Sequence, residues 1–247
     1  MSETTEATER EKAARKIKDI RKFEQRDDYN GAWDRGIIDY IDAFEGLHQY
    51  FDYVRSLKAG GKVLDIGSGT TRGISQIADT KLGDQINFTA TTLGKVKGSV
   101  ESDKVRVVQT SAEALRGIDS GSISGILGLN SIGYSAAPQL VVDRMDQVLV
   151  AGGVIKAVFP PEGTDSKFSQ MGLSSHNKFS EALKAKGYDI AFKPPINGTA
   201  EEIMLAIKSG GEAKTSASDL VRADSGIIDT LLLIDGHLGG NPSDLLS

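Results

Sequence analysis

The hydrophobic period of the chain changes abruptly across one glycine turn. Lys62-Val63-Leu64-Asp65-Ile66 is a short apolar run of the kind that forms a buried strand, and Ile74, Ile77 and Ala78 recur at helical spacing. Between them stands Gly67-Ser68-Gly69-Thr70-Thr71-Arg72-Gly73. Glycines at such a turn let backbone approach a ligand closely and aim amide N–H groups at it. A strand–turn–helix unit cannot bury its faces alone, so it constrains what surrounds it. Further strands read at Ile86–Thr92, Val105–Gln109, Ile123–Leu129, Val154–Phe159, Tyr188–Phe192 and Ile203–Ile207. Helical stretches alternate with them around Val96–Glu101, Ala112–Leu115, Gln139–Val150 and His176–Lys186. This alternation predicts an α/β fold, a doubly wound and mostly parallel seven-stranded sheet with helices on both faces. The last two strands have only a turn between them, with Pro194-Pro195 and Asn197-Gly198, and should close the sheet as an antiparallel C-terminal hairpin.

Upstream, Ile37, Ile38, Ile41, Phe44, Leu47, Phe51, Val54 and Leu57 recur at three and four, which predicts one amphipathic helix of about six turns from Trp33 to Leu57, capped by Gly60-Gly61. Residues 1–28 hold eight acids and eight bases around a thin stripe of Ala13, Ile17 and Ile20, a charged N-terminal helix or tail. Residues 29–209 carry the α/β pattern. Residues 210–247 read as a linker followed by a C-terminal helical extension built on Leu220, Val221, Ile227, Ile228, Leu231 and Leu232. The two extensions are where a homodimer contact or a protein partner is expected.

Composition narrows the chemistry. With no cysteine, the chain has no disulfide, thiolate metal site or cysteine nucleophile. A net charge of −5 gives no global positive field for nucleic acid or anionic lipid. No apolar run approaches about 18 residues, and the polar start is not a signal peptide, so a cytoplasmic protein without membrane contact is expected. Three histidines far apart in sequence, with no cysteine to join them, do not form a zinc-ligand pattern, and no metal is expected.

The turn itself can be sorted by spacing. A phosphate-binding loop needs Gly-Lys followed by Ser or Thr, but Gly61-Lys62 and Gly94-Lys95 are each followed by valine. The dinucleotide fingerprint needs its third glycine one place earlier than Gly73, and no tyrosine has a lysine four residues on. What remains is an acid ending a strand two places before the first glycine, Val63-Leu64-Asp65-Ile66-Gly67-Ser68-Gly69-Thr70. This resembles motif I of the class I S-adenosylmethionine-dependent methyltransferases, a Rossmann-like fold, in the manner of the methyltransferase type 11-like domains. The resemblance continues in order. Val105–Leu115 is similar to their third strand and adenine loop, Gly121–Ile132 to their fourth strand, and Val148–Ile155 to their approach to strand five. About 150 residues, 57–209, are covered.

The resemblance implies S-adenosylmethionine as cofactor and a small-molecule acceptor. Gly67 and Gly69 would admit the cofactor's amino-acid end, with Asp65, Ser68 and Thr70 around it. Thr92 falls where the family places a ribose-binding carboxylate, and Ser111 where it places an adenine-binding acid; Ala112 and Glu113 would flank the adenine and Asn130 the exit of strand four. A hydroxyl holds a ribose oxygen less strongly than a carboxylate does, ~1 against ~2–3 kcal/mol. The alternative is therefore a catalytically silent fold that serves as a binding or scaffold subunit. Methyl transfer needs mainly alignment, and His176, opening a helix after Ser174-Ser175, is the candidate base or ligand; it also reads as an exposed helix start. His48 reads as a packed helix residue and His237 as surface, and Tyr29 and Trp33 stand where an aromatic lid is often found. Asn130-Ser131-Ile132-Gly133-Tyr134 is not the Asn-Pro-Pro-Tyr of nucleic-acid amino-methyltransferases.

Overall fold

The computed structural model describes residues 34–95, 103–135, 137–159, 176–193, 202–211 and 215–222. Seven strands form one sheet: β1 (Gly61–Asp65), β2 (Ile86–Thr92), β3 (Val105–Gln109), β4 (Ile123–Leu129), β5 (Leu149–Phe159), β6 (Asp189–Lys193) and β7 (Glu202–Ile207). Their order is β3-β2-β1-β4-β5-β7-β6. Strands β1 to β5 pair in parallel, while β7 runs antiparallel to both β5 and β6. The expected mixed sheet and terminal hairpin are therefore both present. The strand order reverses between β1 and β4, which makes the crevice beyond their carboxyl ends the switch point where open sheets of this kind bind ligands.

Six α-helices among the described residues cover the sheet: α1 (Ile37–Phe44), α2 (Leu47–Ser56), α3 (Arg72–Ala78), α4 (Pro138–Val148), α5 (His176–Ala185) and α6 (Ala217–Arg222). The two faces have separate cores. Val63, Leu127, Val158 and Leu205 pack under α1 to α3 with Phe44, Phe51 and Ile77. Leu64, Ile126, Ile155 and Met204 pack under α4 and α5 with Met145, Phe179 and Leu183. Every residue of β4 is buried, as expected of a strand covered on both sides. Helix α6 docks by Ala217, whose N–H donates to Asp189 Oδ2 at 2.8 Å, so part of the C-terminal segment lies on the sheet. No helix among the described residues is long and apolar enough to cross a membrane.

Three expected elements differ. The single helix over 33–57 is two helices, broken where Glu45 (φ 42) and Gly46 (φ 63) turn left-handed. Glycine inside a helix is unfavourable, and the break lets Tyr40 and Phe44, then Tyr50 and Phe51, all reach the sheet. Its freed carbonyls are served by Lys156, a fully enclosed residue of β5 that donates to Glu45 O and, at 3.4 Å, to Gly46 O. The stretch Ala112–Leu115 is not a helix. Leu115 N–H returns to Ser111 O at 2.9 Å, but Leu115 itself is left-handed (φ 42) and Thr110 Oγ1 accepts from Arg116 N at 2.9 Å, ending the turn at once. Strand β5 starts at Leu149 rather than Val154. Gly152 (φ 75) passes hard against Gly211, and its carbonyl accepts from Tyr53 at 2.8 Å, so the glycine pair bends a strand instead of ending a helix. The expected helix over 96–101 lies outside the described residues.

Candidate functional site

The glycine turn is pinned from both sides. Gly67 (φ 71) and Gly69 (φ 60) take the left-handed conformation that glycine adopts without strain. Gly67 N–H donates to Thr91 Oγ1 at 3.1 Å and Ser68 N–H to Thr91 O at 2.9 Å, which ties the turn to the end of β2. Ser131, leaving β4, donates to Ile66 O. A Cβ placed on Gly67 would lie 2.6 Å from that of Ser131, so this glycine answers to β4 as well as to any ligand.

Asp65 is the chemical centre of the turn. It ends β1 at 1% exposure. Its Oδ2 accepts from Tyr40 at 2.5 Å and from Ser68, while Oδ1 is buried with no partner. Burial raises the Asp65 carboxyl above its ordinary range, opposed by the Ser68 and Tyr40 hydroxyls and the Arg35 charge. Tyr40 and Tyr50 are both pushed well up, first by burial and then by the Asp65 charge.

A strap before α1 crosses the same region. Thr70 donates to Asp34 Oδ1 at 2.8 Å, Arg72 stands 3.4 Å from Asp34 Oδ2, and Arg35 donates to Leu129 O at the carboxyl end of β4. Tyr29 and Trp33, the expected lid, lie outside the described residues. Asp34, Arg35 and Tyr40 were not singled out from sequence. Tyr40 was hidden within an apolar helical stripe, and its only signal was Gly73, one place late for a dinucleotide turn. A Cβ on Gly73 would lie 2.6 Å from the Tyr40 ring.

The remaining candidates fall into two groups. Asp65, Gly67, Ser68, Gly69 and Thr70 come together at the switch point, but the Ser68 hydroxyl faces inward onto Asp65 and that of Thr70 faces the strap. Asn130 leaves β4 half-buried and left-handed (φ 49), with its N–H on Val158 O at 3.1 Å. Thr92 ends β2 beside Gln109, buried, and spends its proton on Gly94 O at 2.9 Å, so toward a ribose it can only accept. Ser111 and Glu113 are buried in the loop after β3, with Ala112 half-buried between them. Glu113 accepts from Ser135 at 2.5 Å, which joins that loop to the exit of β4. His176 opens α5 as expected, its side chain being outside the described set; His48 is half-buried on α2. An open cleft of about 660 Å³ lies elsewhere, between Leu57, Lys58, Val150, Ala151, Gly210 and Gly211 at the amino ends of β1 and β5. Its lining includes one charged residue, Lys58, and none of the candidate site residues.

Comparison with solved structures agrees with the fold. The fold is that of the class I methyltransferases. A Haloferax volcanii chain solved with the Trm112 methyltransferase activator superposes with a TM-score of 0.51 at 14% identity, covering 71% of this chain and 95% of that one. The [4+2]-cyclase SpnF gives 0.50 at 17% identity over 66% and 81%. An N-methyltransferase from Haemonchus contortus, bound to phosphomonomethylethanolamine and S-adenosylhomocysteine, gives 0.51 at 14% identity over 66% and 52%. No family model and no curated protein matches the sequence.

Proposed function

We propose that the protein is an S-adenosylmethionine-dependent methyltransferase that acts on a small-molecule acceptor. One observation carries the reading. At the switch point, beside two left-handed glycines, a buried carboxylate keeps one oxygen without a partner. An orphaned buried acceptor costs about 1–3 kcal/mol, and a ligand ammonium group would satisfy it. When bound, the cofactor supplies an electrophilic methyl group on a sulfonium centre. Asp65 would hold its ammonium group, Gly67 and Gly69 would let the backbone approach, and Thr92 Oγ1 would accept from a ribose hydroxyl. Ser111, Ala112 and Glu113 would border the adenine. Asn130, with Arg35 above Leu129, would line the mouth through which the acceptor enters. His176 is kept as the candidate base. A cytoplasmic setting and a protein partner or second copy on the terminal segments belong to the same reading.

The second reading is a silent methyltransferase fold that binds or scaffolds. It is favoured by Thr92 and Glu113, whose polar groups are already engaged by Gly94 and Ser135. A protein described as a cyclase shares the fold, so the fold by itself does not dictate methyl transfer. Calorimetric titration of the full chain with S-adenosylmethionine decides between them. Saturable binding, followed by labelled methyl transfer to a panel of small acceptors, is expected. Absence of heat at millimolar cofactor would sink the enzyme reading, and binding without transfer to any acceptor would favour the silent one.

A further inference from the structure

Asp65 is held from outside its own turn. Its Oδ2 carries both hydrogen bonds, from Tyr40 at 2.5 Å and from Ser68, and Oδ1 carries none. Ser68 belongs to the glycine turn, but Tyr40 comes from α1 and reaches Asp65 across Gly73, whose missing side chain admits the ring. We propose that Tyr40 is a positioning residue: its hydroxyl fixes the Asp65 carboxylate through Oδ2 and leaves Oδ1 as the acceptor for the ammonium group of the cofactor's amino-acid end. The identity of that ligand rests on the methyltransferase reading, whereas the hold of Tyr40 on Asp65 does not.

The charge state of Asp65 follows from the groups that face it. These are Tyr40 from α1, Tyr50 from α2, Ser68 from the turn and Arg35 from the strap. Its register neighbours, Ala90 on β2 and Leu127 on β4, are apolar. Burial favours the neutral acid, while the two donated hydroxyls and Arg35 favour the anion. Removing the Tyr40 hydroxyl while keeping its ring therefore deletes one of the groups that keep Asp65 ionised. The carboxyl should then hold its proton to higher pH, and a neutral acid loses its charge attraction for an ammonium group.

The test uses the full chain as wild type, Tyr40→Phe, Asp65→Asn and the double variant. Without ligand, the carboxyl carbon of Asp65, assigned by its loss in Asp65→Asn, is titrated by NMR. Its midpoint should move up in Tyr40→Phe. Calorimetry with S-adenosylhomocysteine is then run from about pH 4.5 to about pH 8. Tyr40→Phe should weaken binding most at the acid end, by about tenfold for each pKa unit of displacement. It should add nothing in the Asp65→Asn background. Uniform weakening at all pH, with the Asp65 midpoint unmoved, is what a merely structural tyrosine would give and overturns the proposal. Failure of the wild type to bind overturns the methyltransferase reading and the ligand half of the proposal. A shifted Asp65 midpoint in that case upholds the coupling alone.

Discussion

At the residue scale, the glycines of the turn serve two masters. From sequence Gly67 reads as a place where backbone could approach a ligand; the structure sets it against Ser131. A side chain there meets both the 2.6 Å approach to the Ser131 Cβ and a φ of 71. Gly67→Ala should cost about 1–3 kcal/mol in urea denaturation. Part of that cost should return in the Gly67→Ala, Ser131→Gly double variant, since only the contact and not the backbone strain is relieved. Equal losses in the single and double variants would mean that Ser131 is not the neighbour that forbids a side chain. Thr92 carries two opposed effects. Aspartate there would give up the bond to Gly94 O and place a charge in a buried position, so the free protein should melt lower. With cofactor bound, an ionised acceptor gains roughly 1–2 kcal/mol over a hydroxyl, and affinity should rise about tenfold. Calorimetry and melting on Thr92→Asp check both signs together; an unchanged or weaker affinity would remove Thr92 from the ribose site.

At the element scale, what sequence conveyed was periodicity and what it withheld was partnership. All seven strands were expected from their apolar runs between turn residues; six match to within a residue, while β5 begins five residues before its expected start. The break in the first helix did not read, because the stripe from Ile37 to Leu57 runs unbroken through Gly46. The Lys156 side chain, a lone charge in an otherwise apolar strand of eleven residues, marks a place where carbonyls would need a donor. Near it Lys193 pairs with Glu45 at 2.7 Å, both largely enclosed, so the α1–α2 joint gathers charge at one end of a mostly apolar interface. Lys156→Met should keep the volume but orphan the Glu45 carbonyl, costing about 1–3 kcal/mol. Because α1 carries Tyr40, the loss should appear first as faster hydrogen exchange in α1 amides and weaker cofactor binding, with β4 amides still protected. Uniform loss of protection across the sheet would mean that the joint is part of the global core rather than a local fastening.

At the scale of the whole molecule, the turn that carries the candidate site is legible to the extent that it is backbone. The acid and the glycines follow from the pattern around Asp65, whereas Tyr40, Arg35 and Ser131 reach it from segments distant in sequence, and nothing in the local pattern of those segments pointed to Asp65. Two carboxylates among the described residues couple folding to pH in opposite directions. Asp65 has a folded-state pKa raised by burial, so the folded protein binds its proton more tightly than the unfolded chain. Its contribution is fully present below the unfolded value of about 3.9 and is lost as pH rises through the folded pKa. Asp146 is the reverse. Burial raises its pKa, but Lys208, with Nζ at 3.1 Å, the Tyr188 hydroxyl at 3.1 Å and Lys186 together bring it below the ordinary range. That contribution is present above the unfolded value and lost as pH falls through the folded pKa. Asp146 also joins α4 to the C-terminal hairpin, since Lys208 donates to its carbonyl as well, at 2.6 Å. In a series of denaturation curves from neutral pH downward, Asp146→Asn should be less stable than wild type near pH 7 and approach it in acid. Asp65→Asn should start more stable than wild type near pH 7, because it removes a buried charge, and lose that advantage as the wild-type carboxyl takes up its proton. Parallel curves for the two variants would show that neither carboxylate has the environment the fold gives it. An Asp65→Asn protein that is more stable yet unable to bind S-adenosylhomocysteine would show a charge kept for its ligand at the expense of the fold.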